Sequence, residues 1–183
     1  SNKYDLIIDL QNSKRSNYYN FFFKLLSKAK INGSRSNSHY RYVIPEQGVE
    51  SPRLGLFKQL SMLNISEIKT DYNWLNIDID FKNEKNTILF IPGVSKSGSQ
   101  KQWNPDLFAK LAKYYEDKGF LICVVGTKMD YSSVKPILQI CKNVVNKIDL
   151  SPPEVIYTTA KNSHLIISND TGPGHIAALS NTN

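Results

Sequence analysis

At 183 residues and 40% hydrophobic, the chain has enough apolar material for one or two domains with a buried core. Its 23 Lys and Arg against 16 Asp and Glu leave a formal +7, which suits a polyanionic ligand such as a diphosphate, a nucleic acid or an acidic membrane surface. Cys123 and Cys141 have neither metal-ligand spacing nor a redox pairing, which excludes those chemistries for them and fits a reducing compartment. No apolar run approaches transmembrane length and no signal-peptide pattern opens the chain.

The chain opens without Met, almost at once in a buried strand (Tyr4 to Leu10), and stops at Asn183 just past a helix, so it reads as a fragment of a larger protein. Gln11 to Ser16 reads as a polar turn, and Tyr18 to Lys30 as an aromatic-rich helix with a basic C-terminal end. Asn32 to Ser38 follows as loop. Behind Pro52, Arg53 to Leu63 places Leu54, Phe57, Leu60 and Leu63 on one side of a second helix. Thr70 to Asn86 is polar with scattered aromatics and reads as an interdomain linker or edge strand. This gives a partial first domain over 1–83 and a second over 84–183.

The second part is more regular. Thr87 to Ile91 is a strand, and Pro92 to Gln102 a loop rich in glycine and serine. Asn104 caps a helix that Pro105 starts and Gly119 stops. Phe120 to Val125 is a strand ended by Gly126, Tyr131 to Lys142 is helical despite Pro136, and Val144-Val145 is a short strand. Ser151 and Pro152-Pro153 open a helix to about Lys161, and Leu165 to Ile167 is the last strand. Strands alternating with helices imply an α/β protein with a parallel sheet, whose ligands bind beyond the carboxyl ends of the strands.

Two polar turns lie at that edge. Ser168-Asn169-Asp170-Thr171-Gly172-Pro173-Gly174-His175 runs from a strand straight into a helix. The first N–H groups of such a helix have no intrahelical partner and point beyond the strand end, which is how α/β proteins hold phosphate. Gly172 and Gly174 let the backbone approach a ligand, Pro173 starts the helix without wasting a donor, and Asp170 and His175 add an acceptor and a donor. In the other turn Lys101 is placed to neutralise a diphosphate, with Ser95, Ser97 or Ser99 as hydrogen-bonding candidates. Trp103 reads as a hydrophobic staple at the helix start rather than a base-stacking platform. Either turn alone is an ordinary capped helix or solvated loop; two on one edge favour a ligand.

Asp130, ending Gly126-Thr127-Lys128-Met129-Asp130, stands equally as a helix cap and as an acceptor for ribose hydroxyls. Asp78 and Asp80 alternate along the linker and are not a metal site. Lys14 and Arg15 follow the first strand, as a solvated helix start or as a basic pair facing an anionic substrate. Cys123 is core, and His39 and His164 have no identifiable partners. No nucleophile elbow, Walker loop or cysteine–histidine metal cluster occurs.

Pro92-Gly93-Val94-Ser95, then Lys101-Gln102-Trp103, then Ser168 to His175 with Ile176-Ala177-Ala178 resemble the signatures of glycosyltransferase family 9, the heptosyltransferases of the lipopolysaccharide inner core. Asp5-Leu6-Ile7-Ile8-Asp9-Leu10-Gln11 followed by Arg15-Ser16 resembles the later part of that family's first domain. The similarity is strong from Thr87 to Ala178 and weak between Asn32 and Asn86. The resemblance implies a GT-B architecture: a Rossmann-like C-terminal domain holding the donor, and an N-terminal Rossmann-like domain that is incomplete here. It implies heptose transfer from ADP-heptose to an anionic glycolipid acceptor, with inversion, without metal or other cofactor. It also implies a cytoplasmic protein, peripheral to the inner membrane, with no specific nucleic-acid partner.

By motif match Lys101 contacts the donor phosphates, Asp170, Thr171, Gly172 and His175 cradle the diphosphate, and Asp130 reaches the ribose. Ser95 and Gly174 belong to the same phosphate-binding set, and Lys14 and Arg15 to the acceptor side. No residue matches the family's catalytic carboxylate, so the base is expected outside this chain, and the chain alone is expected to bind the donor nucleotide weakly or not at all and to catalyse no transfer. The helix after His175 ends in Leu179-Ser180-Asn181-Thr182-Asn183 where the family shows Gly-x-Pro, and the loop from Gly93 to Lys101 is longer than typical. The competing readings are a nucleotide-sugar-binding module without transferase activity and a basic nucleic-acid-binding protein.

Overall fold

A computed structural model describes residues 4–45, 50–67, 71–78 and 86–182. Contacts divide the chain into Ser1–Thr70 and Asp71–Asn183. That division falls earlier than the boundary expected at 83/84, because a 3-10 turn at Asn73–Leu75 packs on a helix of the second unit. Leu75 is buried there, and the Thr158 hydroxyl donates to the Leu75 carbonyl at 3.2 Å. Among the linker residues described, 71–78, there is no strand. Asp78 is exposed, and Asp80 lies outside the described residues.

The first unit runs β1 (Leu6–Ile8), α1 (Lys14–Leu26), β2 (Lys30–Gly33), β3 (Tyr40–Arg41) and α2 (Pro52–Ser61), with a parallel sheet in the order β1-β2-β3. Helix α1 starts ahead of the expected Tyr18, because Ser13 and Ser16 close a reciprocal capping box around its first turn. Lys14 and Arg15 are therefore exposed residues of that turn. The helix stops before Lys30, since Ser27 is already extended. β2 occupies the stretch expected to be helix end and loop, and β3 follows it. Buried Asn32 in β2 is held by its amide, which donates to the carbonyls of Gln59 and Tyr40. His39 has a partner after all: its Nδ1 accepts from the Ile31 N–H at 3.1 Å, and burial with Lys30 and Lys24 nearby lowers its pKa.

The second unit alternates β4 (Thr87–Ile91), α3 (Pro105–Asp117), β5 (Leu121–Gly126), α4 (Tyr131–Ile140), β6 (Val144–Ile148), α5 (Pro153–Lys161), β7 (Leu165–Ser168) and α6 (Gly172–Ala178). All strand pairs are parallel, in the order β6-β5-β4-β7. β6 outlasts the expected Val144-Val145 because its pairing with β5 continues to Gly126 and Ile148. Alternate residues of β4 and β5 serve two apolar layers. Ile88, Phe90, Ile122 and Val124 pack with Phe108, Ala109, Ala112, Val134 and Ile137 of α3 and α4. Leu89, Ile91, Cys123 and Val125 pack with Ile156, Ala160 and Ala177 of α5 and α6. Burial pushes the Cys123 thiol up to about 12 and Cys141 to about 11, so both are inert core residues. His164 stacks at a tilt on Phe120, ring centroids 5.2 Å apart.

Candidate functional site

The strand order fixes where this unit opens a crevice. From β4 the chain moves outward to β5 and β6, then returns through α5 to place β7 on the other side of β4. The loops after β4 and β7 therefore diverge from neighbouring strand ends, the switch point at which open parallel sheets take ligands. Two adjoining cavities lie there, of about 330 and 260 Å³, sharing Val94, Ser95, Thr171 and Gly172 in their walls.

The first cavity is polar. Lys101, in the last position of a 3-10 segment Lys96–Lys101, comes from the β4 side, and Asp170 and His175 come from the β7 side. Lys101 Nζ donates to Asp170 Oδ2 at 2.5 Å, and His175 Nε2 lies 3.3 Å from Oδ1. The Lys101 hydrogen bond, its charge and a smaller contribution from His175 hold the Asp170 carboxyl below the usual carboxylate range. The pair is half-exposed, so its ions remain within reach of a solvated anion. Thr171 begins α6 without a side-chain cap bond, and Thr171 and Gly172 at its start line the same cavity.

The second cavity is mainly apolar, with Ile91, Val125, Met129 and Pro173 in its lining and Asp130 among them. Asp130 Oδ2 accepts from the Thr127 N–H at 2.8 Å and from its hydroxyl at 2.9 Å, so the carboxylate caps the 3-10 turn Lys128–Asp130. It does so in space left by two glycines. A Cβ at Gly93 would collide with the Asp130 carboxyl, and Gly126, at φ 152°, would bring one to 3.1 Å from Oδ2.

Of the residues expected in a phosphate site, Ser95, Lys101, Asp170, Thr171, Gly172 and His175 share the first cavity, and Asp130 lines the second. Gly174 does not belong with them. A Cβ there would strike the Ser168 hydroxyl and stand 3.0 Å from the Asn169 carbonyl, so this glycine serves packing against the strand end. At Gly172 a Cβ would meet nothing within 4 Å, and the bare backbone opens onto both cavities. Ser99 is exposed and lines neither cavity, and the Ser97 side chain lies outside what is described. Trp103 meets Phe108 edge-on at 4.8 Å, joining the residue before the Asn104 cap to the first full turn of α3, as a staple does.

Asn169, to which the sequence pattern assigns no role, is buried and bonds to Pro92 and Trp103 at the two ends of the β4 loop. In the first unit, a cavity of about 560 Å³ lies beyond the ends of β1 and β3, with Asn12, Tyr42, Glu50 and Gln59 in its lining; neither Lys14 nor Arg15 lines it. Among the described residues no three His, Cys, Asp or Glu side chains are grouped to hold a metal ion, and no helix is long and apolar enough to cross a membrane.

A parallel sheet with a two-part cleft at its switch point, ionic on one side and apolar on the other, is the build of an α/β domain that takes a ligand at that edge. The chain belongs to glycosyltransferase family 9 (heptosyltransferase), whose family model matches residues 1–182. It is 26% identical over 211 residues to the lipooligosaccharide heptosyltransferase 2 of Haemophilus ducreyi, covering 98% of this chain and 58% of that protein. It is 27% identical over 127 residues to the lipopolysaccharide heptosyltransferase 2 of Escherichia coli, covering 65% of this chain and 35% of the relative. Among solved structures, E. coli ADP-heptose lps heptosyltransferase II superposes with a TM-score of 0.69 at 20% identity, over 98% of this chain and 61% of that one. E. coli heptosyltransferase WaaC with ADP superposes at 0.74 and 17% identity, over 99% and 59%. These likenesses establish the fold. The chain thus spans a little over half the length of the Haemophilus relative and of these solved structures.

Proposed function

We propose that this chain carries the donor-binding part of a GT-B-type heptosyltransferase. The enzyme takes ADP-heptose and transfers heptose, with inversion and without metal or other cofactor, to a lipopolysaccharide-core acceptor. One observation supports this above the others: Lys101 from the β4 loop meets Asp170 of the β7 turn, itself in contact with His175, at the switch-point cleft beside a mainly apolar cavity of about 260 Å³.

Breaking a sugar–diphosphate bond builds negative charge on the leaving phosphate. Lys101, drawn from Asp170 to a phosphate oxygen, and the first-turn N–H groups of α6 stabilise that charge where it develops. Asp170 keeps its contact with His175 meanwhile, so neither partner is stranded. The apolar cavity takes the base, and Asp130 at its rim offers a carboxylate to the ribose. The acceptor side belongs to the first unit, with Lys14 and Arg15. Residues 1–70 hold eleven Lys and Arg against five Asp and Glu, a balance that suits an anionic acceptor such as the glycolipid proposed here. The base for the acceptor hydroxyl is not assigned to any described residue.

The test is the melting temperature with ADP, UDP, GDP, CDP and inorganic phosphate at constant ionic strength. ADP at about 100 times its Kd stabilises by about 2.7 kcal/mol, a resolvable shift. Lys101→Ala removes that shift, and Gly172→Ala weakens it by placing a methyl group, clear of protein atoms, where both cavities open. A shift confined to another diphosphate replaces the donor, and none with any nucleotide in a folded sample ends the donor-site reading.

A further inference from the structure

We propose that Asn169 is the positioning residue of the cleft, a clasp whose one side-chain amide closes the Pro92–Trp103 loop at both ends and thereby sets Lys101 against Asp170. The role rests on the donor-site reading above for its consequence in binding, though not for its geometry. The Asn169 Nδ2 donates to the Pro92 carbonyl at 2.8 Å, and its Oδ1 accepts from the Trp103 N–H at 3.0 Å. Its own backbone N–H donates to the Ile91 carbonyl at 3.2 Å. The residue is 7% exposed, so these bonds are made away from competing water.

The positions bonded are the two ends of a loop of ten residues, Gly93 to Gln102, that carries Ser95, Gly98 and Lys101. Lys101 stands two residues before the clasped Trp103, and Asp170 one residue after Asn169. One planar amide therefore fixes the backbone from which both ions of the cleft are launched. At the Lys101 end a second bond, Gln102 Nε2 to Ser133 Oγ at 2.6 Å, holds the loop to α4.

The chemistry specifies asparagine. One partner is a backbone donor and the other a backbone acceptor, so the side chain must accept and donate in one plane, and its orientation is unambiguous. Aspartate at this position turns an acceptor toward the Pro92 carbonyl, and only its protonated form restores the donor. Glutamine carries an extra methylene into a buried site. Alanine leaves the buried Pro92 carbonyl and the Trp103 N–H without their side-chain partner.

The test combines amide exchange with ADP titration. In the unsubstituted protein without nucleotide, the Trp103 amide exchanges as slowly as the β4 amides; exchange as fast as an exposed loop amide overturns the clasp. Asn169→Asp weakens ADP about tenfold or more at about pH 8; burial beside the Pro92 carbonyl raises the new carboxyl above the ordinary carboxylate range, so binding recovers to within about threefold of the unsubstituted protein at about pH 5.5, each pH having its own reference. Asn169→Ala stays weak at both. Asn169→Asp binding like the unsubstituted protein at the higher pH, or showing no recovery at the lower, overturns the role. If the unsubstituted protein binds no ADP, the donor-site reading fails, and the clasp is still decided by Trp103 exchange and by whether the melting-temperature gap of Asn169→Asp closes at low pH.

Discussion

In the second unit Phe90, Phe108, Ile122 and Ile137 fill one face of the sheet, and Leu89, Ile91, Cys123 and Ile156 the other. In the first, the buried apolar side chains among the described residues are Ala29 and Ile31, and the interior is otherwise polar: Asn20, Asn32, Gln59, the Asp9 carboxylate and the serines Ser34 and Ser38. Gln59 donates to the Asp9 carbonyl and to Asn32 Oδ1, each at 3.0 Å, and accepts from Asn12 Nδ2 at 2.7 Å. The Asp9 carboxylate accepts from the Asn12 N–H and from Asn20 Nδ2, each at 3.0 Å. Helix α1 follows the same inversion: it buries Asn20 and exposes Tyr18, Phe22, Phe23, Leu25 and Leu26. Charge divides likewise, with a net +6 over 1–70 and +1 over 71–183. Apolar layers supply stability roughly in proportion to area, whereas a satisfied polar network fixes register while adding little net free energy. The lesson is that one α/β pattern is built here twice, once for stability and once for specificity, and the two halves should fail differently.

The largest effect expected is in the second unit. Phe108→Ala costs about 3–5 kcal/mol, read as an earlier urea midpoint in tryptophan fluorescence, since Trp103 packs on Phe108 and both tryptophans lie in this unit. Gln59→Leu in the first unit orphans buried partners at about 1–3 kcal/mol each, and amide exchange in β2 rises while the tryptophan transition stays where it was. A single shared transition for both variants would break the comparison. Smaller still, Phe22→Ser with Leu26→Ser changes stability by no more than about 0.5 kcal/mol, because both side chains are exposed, and lowers concentration-dependent association in light scattering. A marked loss of stability instead would mean that this face is covered in the protein. The smallest effect is electrostatic. Asp170 has its folded pKa lowered by Lys101, so its contribution is present above the ordinary carboxylate range and fades as pH falls through the folded value. Melting curves of the unsubstituted protein and Asp170→Asn should therefore converge in acid, with a slight gap at neutral pH that salt reduces.

Much of the second unit was legible because its signals are local. Apolar runs, the Asn104 cap with Pro105 and the Trp103 staple all act within a few residues, and two loops at one sheet edge sufficed to bring Lys101 and Asp170 together. What stayed hidden depends on distant partners. β2 contains Asn32 and Gly33, polar enough to read as loop, and is a strand only because β1, β3 and Gln59 receive it. The clasp of Asn169 joins backbone atoms 66 and 77 residues away, which no spacing rule addresses. Gly172 and Gly174 look equivalent in the motif, and only the neighbouring Ser168 hydroxyl separates the open one from the packed one.

The carboxylate of Asp130 nested between Gly93 and Gly126 carries a consequence for how this cleft can change over generations. A side chain at Gly93 is barred while Asp130 stands, and loss of Asp130 uncaps its turn before the vacated space is of use. The effects of these substitutions are therefore strongly non-additive. A lineage that reshapes this cleft must cross a less stable intermediate or alter several positions together, so the three residues should be inherited as a block.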